Sequence, residues 1–359
     1  AVLTQTEAQT QHELAENVSE IIKVLRGFET YGEVSFTTDP DEYGKYWAIR
    51  SGIFPTVGGM RKPGTTCLIE DVAFHIEDLA DAVTDLSDLL DRNGYDDSCI
   101  YGHALEGNFH FIINQAFDSE KEVQRYRKMI HEVGELVVGK YDGSLKAEHG
   151  TGRNMAPFVE YEWGTKAFDV MKRVKMIFDP LNLLNPGVIF NDDPECCFKN
   201  FKALPLLSPA AGADKEMERA YEKLNKCIEC GFCEVNCVSC GLTLSSRTRI
   251  AIQREMASLT ASGADPELLA ALKKQYSYHG SQTCAGDGLC SMSCPMGINV
   301  ADLTHEVRRQ DMGKTGHKVG EFVADNFHGT KTALRGVLHV ADFAHTLLGG
   351  RIMGPLAKG

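Results

Sequence analysis

The sequence predicts an α+β unit over residues 1–195 followed by an α-helical, cysteine-rich unit over residues 216–312. Three observations support this division. In the first part, helical periodicity alternates with a pair of short strands, the interleaving expected of α+β architecture. Ten of the twelve cysteines fall between Cys196 and Cys294, so the second part is built around thiols. Between the two lies CCFKNFKALPLLSPAAGADK, residues 196–215, whose prolines, alanines and glycine read as a linker.

The elements follow in order. VSEIIKVL and LADAVTDLSDLL repeat apolar residues at three- and four-residue steps and read as helices. SCIYGHALEGNFHFIINQAF reads as two strands around a glycine-containing turn. EVQRYRKMIHEVGELVVGKYDGS reads as a helix ending at Gly143, and EWGTKAFDVMKRVKMIFDP as one stopped by Pro180. Helices MERAYEKLNK, SRTRIAIQREMASL and INVADLTHEVRR surround the cysteine loops. Residues 313–359 form a helical tail in which Leu334, Val337, Leu338, Ala341, Ala344 and Leu348 share a face suited to docking.

Composition narrows the function. A net charge of −13 repels phosphate backbones, which argues against nucleic acid as a partner. No apolar run approaches the roughly 20 residues that span a bilayer. The opening AVLTQTEAQTQHELAENV is no secretory signal. It also lacks an initiator Met, as expected of a processed chain or a piece of a longer one. Cys67 and Cys99 stand alone in apolar surroundings and read as buried structural thiols. The crowded remainder fits a reducing cytoplasm better than a disulfide scaffold. The expected location is cytoplasmic, or peripheral at the inner face of the membrane.

The spacing Cys227-x2-Cys230-x2-Cys233-x3-Cys237 wraps a loop around one cubane and sends its fourth thiolate to a neighbour. Cys284-x5-Cys290-x3-Cys294-Pro295 repeats the template with Asp287 where a cysteine belongs. By the crossover, cluster one takes Cys227, Cys230, Cys233 and Cys294. Cluster two takes Cys237, Cys284 and Cys290, with Asp287, an incomplete cluster or Cys240 filling the fourth position. Zinc is the alternative, but zinc ribbons use two separated cysteine pairs. Two adjacent iron–sulfur clusters form a wire and need an electron source.

In the first unit, Gly102-His103-Ala104-Leu105-Glu106-Gly107-Asn108-Phe109-His110 sets two histidines beside a turn. Lys146-Ala147-Glu148-His149-Gly150-Thr151-Gly152-Arg153 adds a carboxylate and a third imidazole. A His, His, Glu set suits zinc or manganese with an open position, and a further His suits a general base. Each histidine taken singly reads as a hydrogen-bonded turn or core residue rather than a ligand.

GHALEGNFHF, YDGSLKAEHGTGRNMAPFVEYEWG and FDPLNLLNPGVIF together resemble the C-terminal cap half of FAD-linked 2-hydroxy-acid oxidoreductases of the vanillyl-alcohol-oxidase type. The pattern is similar to the bacterial cytochrome-type D-lactate dehydrogenase group with an appended dicluster domain. CIECGFCEVNC, LTLSSRTRIAIQREM and CAGDGLCSMSCPMGIN look like that domain. The resemblance spans about residues 40–310. It implies an antiparallel sheet with helices, His103, His110 and Glu148 as divalent-metal ligands, and His149 as catalytic base. It also implies Asn108 and Asn185 near the flavin or substrate, and Arg50, with Arg61 and Lys62 assisting, on the substrate carboxylate. The flavin-binding domain of such enzymes has no counterpart here, so FAD would come from a domain or subunit outside this sequence. The activity implied is oxidation of D-lactate, glycolate or D-2-hydroxyglutarate, with electrons passing to a quinone, cytochrome or electron-transfer flavoprotein. The alternative is a non-catalytic electron-transfer subunit, which would have no use for the histidine set.

Overall fold

The computed structural model describes residues 2–202 and 204–348. Three helices lead in: α1 (Gln11–Leu25), α2 (Pro40–Ser51) and α3 (Ile53–Met60). Asp39 caps α2, its side chain accepting from Asp41 N–H ahead of Pro40, which is pre-set for a first helical turn. Strand β1 (Thr66–Ala73), helix α4 (Leu79–Arg92), strands β2 (Cys99–His103) and β3 (Asn108–Gln115), and helices α5 (Glu120–Gly134) and α6 (Val159–Phe178) complete the first unit. The second unit holds α7 (Lys215–Asn225), α8 (Ser246–Ser262), α9 (Pro266–Tyr276) and α10 (Val300–Asp311). Helices α11 (Lys314–Asp325) and α12 (Phe327–Leu348) follow.

The sheet is antiparallel with β3 in the middle, order β1-β3-β2. Its two faces differ because side chains alternate along each strand. Leu68, Val72, Ile100, Phe109, Phe111 and Ile113 face Leu86, Leu89 and Leu90 of α4 and Met129, Ile130 and Val133 of α5, forming the core. A fully buried Leu or Ile in such a core contributes about 1.5–3 kcal/mol. The opposite face carries Asp71, His110 and Tyr101 in one cross-strand row. The turn between β2 and β3 requires Gly107: its φ is 65°, and a Cβ there would overlap the Phe74 carbonyl.

Several expectations change. The sequence reading finds β2 and β3 but not β1. The helix expected to end at Gly143 is α-helical to Gly134 and then widens into a π-helical stretch, Glu135–Lys140. Cys67 and Cys99 are half-buried rather than buried. The 196–215 stretch is packed at both ends: Phe198 joins the first core and Leu207 the second. Its described residues up to Asp214 lie in no helix or strand but have apolar anchors, which composition alone understated. Of the expected tail face, Leu334, Val337 and Leu338 lie exposed on α12. Residues 349–359 of the tail lie outside the described residues. Among the described residues, no helix is long and apolar enough to cross a membrane.

The two units are bolted together by Arg61, which follows α3. Its Nε donates to Thr65 O, Nη1 to Gly58 O and Lys226 O, and Nη2 to Asn225 O and Cys227 O. A guanidinium has five N–H groups, and here each finds a carbonyl. Arg61 therefore has no donor left for a substrate carboxylate, which corrects the role expected of it. Lys62 beside it is exposed.

Candidate functional site

The site lies on the second face of the sheet, at the β2–β3 turn. His103 ends β2, His110 lies on β3, and the loop after the Ala73–Ser144 bridge carries Glu148 and His149. Glu148 Oε1 is 3.0 Å from His110 Nε2 and 3.3 Å from His103 Nε2. His149 stacks on His110 with centroids 4.6 Å apart and planes 5° from parallel. Arg50 Nη2 reaches within 3.1 Å of His103 Nε2. Residues from four separate segments thus converge on one point.

Asp71 organises this convergence, and the sequence reading missed it. Its Oδ2 accepts from the backbone N–H groups of Ala147 (3.0 Å), Glu148 (2.7 Å) and His149 (2.8 Å). Its Oδ1 accepts from Asn108 Nδ2 and lies 3.3 Å from His110 Nδ1. Burial pushes the Asp71 carboxyl up, but hydrogen bonds from His149 N–H, the Asn108 amide and Glu148 N–H outweigh it and hold the group below its ordinary range. Burial lowers the pKa of His110, and the neighbouring His149 lowers it further. A neutral imidazole is the form that binds a metal.

The cysteines of the two loops lie in one neighbourhood, in which Cys290 is close to Cys233 as well as to Cys284 and Cys237. Burial pushes Cys233 up, and the nearby Cys294 and Cys230 thiols add to the effect, so these three share one neighbourhood. Cys227, raised to about 11 by burial, lies within reach of Cys233. Cys237, Cys284, Asp287 and Cys290 line a single cavity with Arg249. Burial pushes Cys237 up, but hydrogen bonds from Ser239, Arg249 and Ser246 prevail and hold its thiol below the ordinary value. Cys240 is exposed and does not line the cavity, whereas Asp287 does. Asn236 Nδ2 donates to Ser293 Oγ at 2.7 Å, tying the two loops together.

Residues 1–189, just over half of the chain, match the family of FAD linked oxidases, C-terminal domain. The chain belongs to the FAD-linked oxidases. Residues 223–298 of this FAD-linked oxidase match the 4Fe-4S dicluster domain. Curated relatives agree. It is 33% identical over 129 residues to glycolate oxidase subunit GlcD of Bacillus subtilis, covering 36% of the chain and 27% of that protein. It is 29% identical over 200 residues to the mitochondrial cytochrome-type D-lactate dehydrogenase of Arabidopsis thaliana, covering 54% and 32%. It is 37% identical over 92 residues to the D-2-hydroxyglutarate dehydrogenase of Stutzerimonas stutzeri, covering 25% and 20%. The chain thus spans a fifth to a third of the length of these relatives.

The residues fit the groups expected in an FAD-linked oxidase of this kind. His103, His110 and Glu148 offer ligand atoms all within 4.8 Å of one another, as do Asp71, His110 and His149. Thiols lining one cavity suit a cluster, since ligation deprotonates them outright. Asn108 is buried and spends its Nδ2 on Asp71, while its Oδ1 has no partner. It holds the site's carboxylate rather than lying open to a ligand. Asn185 is exposed on a loop tied to the His149 segment by Ile189 N–H to Gly152 O and Arg153 Nη2 to Pro186 O, each 3.0 Å.

Proposed function

We propose that this chain is the cap and iron–sulfur part of an FAD-linked D-2-hydroxy-acid dehydrogenase, with D-lactate as substrate and pyruvate as product. The observation that carries the reading is the convergence of His103, His110 and Glu148 on one point, with His149 stacked beside them and Arg50 at the rim. The names of the relatives point the same way: glycolate, D-lactate and D-2-hydroxyglutarate are all 2-hydroxy acids.

A divalent metal on His103, His110 and Glu148 would supply Lewis-acid polarisation of the substrate hydroxyl, FAD would supply the hydride acceptor, and the clusters would supply one-electron steps. The chain's own residues do the rest. Arg50 binds the substrate carboxylate through its planar fork, which fixes the C2 hydrogen in one direction. His149 takes the hydroxyl proton as the hydride leaves C2, so the substrate loses two electrons and two hydrogens. Asp71 keeps His149 and Glu148 in place throughout. The electrons end on a quinone, a cytochrome or an electron-transfer flavoprotein.

The full-length protein, given D-lactate, glycolate and D-2-hydroxyglutarate with an artificial electron acceptor, tests this. Oxidation of D-lactate in preference to the other two is expected. His149→Ala should slow flavin reduction about 10²–10⁴-fold, the range for loss of a general base. Turnover of none of the three acids, or unchanged flavin reduction in His149→Ala, would overturn the proposal.

A further inference from the structure

We infer that Arg249 is the buried counter-ion of the second cluster and holds it at a higher reduction potential than the first, making it the electron-collecting end of the pair. This rests on the iron–sulfur reading of the cysteines and not on the choice of substrate.

Arg249 lies on α8 and is 1% exposed, the largest fully buried side chain among the described residues. Its Nε donates to Gly280 O at 2.6 Å and its Nη2 to Ser239 Oγ at 2.9 Å and Thr283 Oγ1 at 3.4 Å. Its Nη1 points at Cys237 Sγ, 3.6 Å away. None of these partners is a carboxylate. A buried cation without an anion costs several kcal/mol, and proteins keep one where a counter-charge is supplied. The other buried arginines are provided for differently. Arg254 pairs with Glu229 at 3.0 Å, and Arg61 is spent on five carbonyls. Arg249 instead faces the cavity lined by Cys237, Cys284, Asp287 and Cys290. An anionic cluster held there by Cys237, Cys284 and Cys290, together with the Asp287 carboxylate, would supply the counter-charge.

The consequence is redox asymmetry. Reducing a cluster adds one electron and breaks no bond, so a fixed positive charge beside it favours the reduced state. A hydrogen bond to a ligand sulfur acts in the same direction. Arg249 provides both to the second set. Beside the first set, Arg61 and Arg254 also bring positive charge near Cys227, but they donate to its carbonyl, at 3.0 and 3.3 Å, and not to its sulfur, and Glu229 partly neutralises Arg254. Among the described residues, no arginine or lysine donates to Sγ of Cys227, Cys230, Cys233 or Cys294.

The test is a redox titration of the holoprotein followed by electron paramagnetic resonance, comparing wild type, Arg249→Lys and Arg249→Gln. The second cluster should titrate above the first in wild type. Arg249→Gln should lower only the second, and Arg249→Lys should keep most of the difference. An unmoved second cluster in Arg249→Gln, or an equal fall in both clusters, overturns the inference. If Arg249→Gln fails to retain the second cluster, Arg249→Lys decides. Retention with Lys supports the counter-ion, whereas loss in both variants shows that shape and not charge is required. Iron analysis giving fewer than two clusters in wild type would instead overturn the underlying cluster reading.

Discussion

Asp71 receives three successive N–H groups on one oxygen while its other oxygen faces Asn108 and His110. Asp71→Asn replaces an acceptor-only group with one that must turn two donors somewhere, and the three N–H groups lose their charged partner. Hydrogen bonds to charged groups contribute roughly 1.5–3 kcal/mol each, so a destabilisation of about 2–4 kcal/mol is expected. The loop carrying Glu148 and His149 should loosen, weakening divalent-metal retention while the iron content stays at the wild-type level. Metal and iron analysis of the same preparation, with a thermal melt, checks all three. No spacing rule points to Asp71: it is one of two adjacent acids in TCLIEDVA, beside Glu70, and only the cross-strand pairing with His110 gives it a role. The histidines and Glu148 were legible because they sit in two compact motifs. Arg61 was misread because a cation near a site looks like a substrate anchor until its five carbonyl partners are known. The cysteine loops make a second residue-scale prediction. Cys240 is exposed, so alkylation of the native protein should modify it first, and Cys240→Ser should leave both cluster signals unchanged. Asp287→Cys should alter the second signal alone. Protection of Cys240 from alkylation would make it the fourth ligand in place of Asp287.

At the scale of elements, strongly periodic helices and the hairpin were readable, while β1, α2 and α3 were not. β1 alternates weakly because both of its faces are covered, one by the core and the other by α3 and the site. The π-helical stretch after α5 leaves no trace in apolar spacing. Helix α10 carries an electrostatic device that sequence also hides. Glu306, 1% exposed, accepts from Arg309 at 2.7 and 2.8 Å, from Gln310 at 3.0 Å and from the Ala210 N–H at 3.1 Å. The Arg309 guanidinium, followed by the Gln310 and Ala210 donors, brings its carboxyl from 4.5 down to about 2 against the effect of burial. A carboxyl lowered on folding stabilises the native state fully above its unfolded value, and that contribution fades as pH falls towards the folded value. Glu306→Gln should therefore cost about 2 kcal/mol, discounted for the half-exposed Arg309. The penalty should be equal at pH 5 and pH 8 and should narrow only below about 4.5. Thermal melts of the two proteins across that range test it, and a penalty that changes between pH 5 and pH 8 would contradict the assignment.

At the scale of the whole molecule, the decisive contact is the one between units. Gly58 of α3 lies against Ile228, and Gly59 against Met296. These neighbours flank Cys227 and Cys294, so the first cysteine set is seated on the helix that follows Arg50. Arg61 pins that arrangement through the 225–227 carbonyls. Arg61→Ala would leave several buried carbonyls without a donor, although Arg254 still serves those of Asn225 and Cys227. A loss of about 3 kcal/mol is expected. Hydrogen exchange at residues 224–228 should speed up, and proteolysis within residues 196–215 should become easier. The family and the α+β and dicluster character of the chain were legible in the sequence. The seam was not, because it depends on one side chain meeting main-chain oxygens 164–166 residues away.

A cluster domain joined only by a flexible tether would deliver electrons by swinging between docking positions, and its speed would depend on friction with the solvent. The Arg61 seam removes that search. In the proposed enzyme, electron passage from the flavin to the first cluster should then proceed at the same rate in buffer and in concentrated glycerol, as followed by rapid-mixing absorbance of the clusters in the full-length protein. In Arg61→Ala the same measurement should become sensitive to viscosity, since the domain would have to find its seat before each transfer.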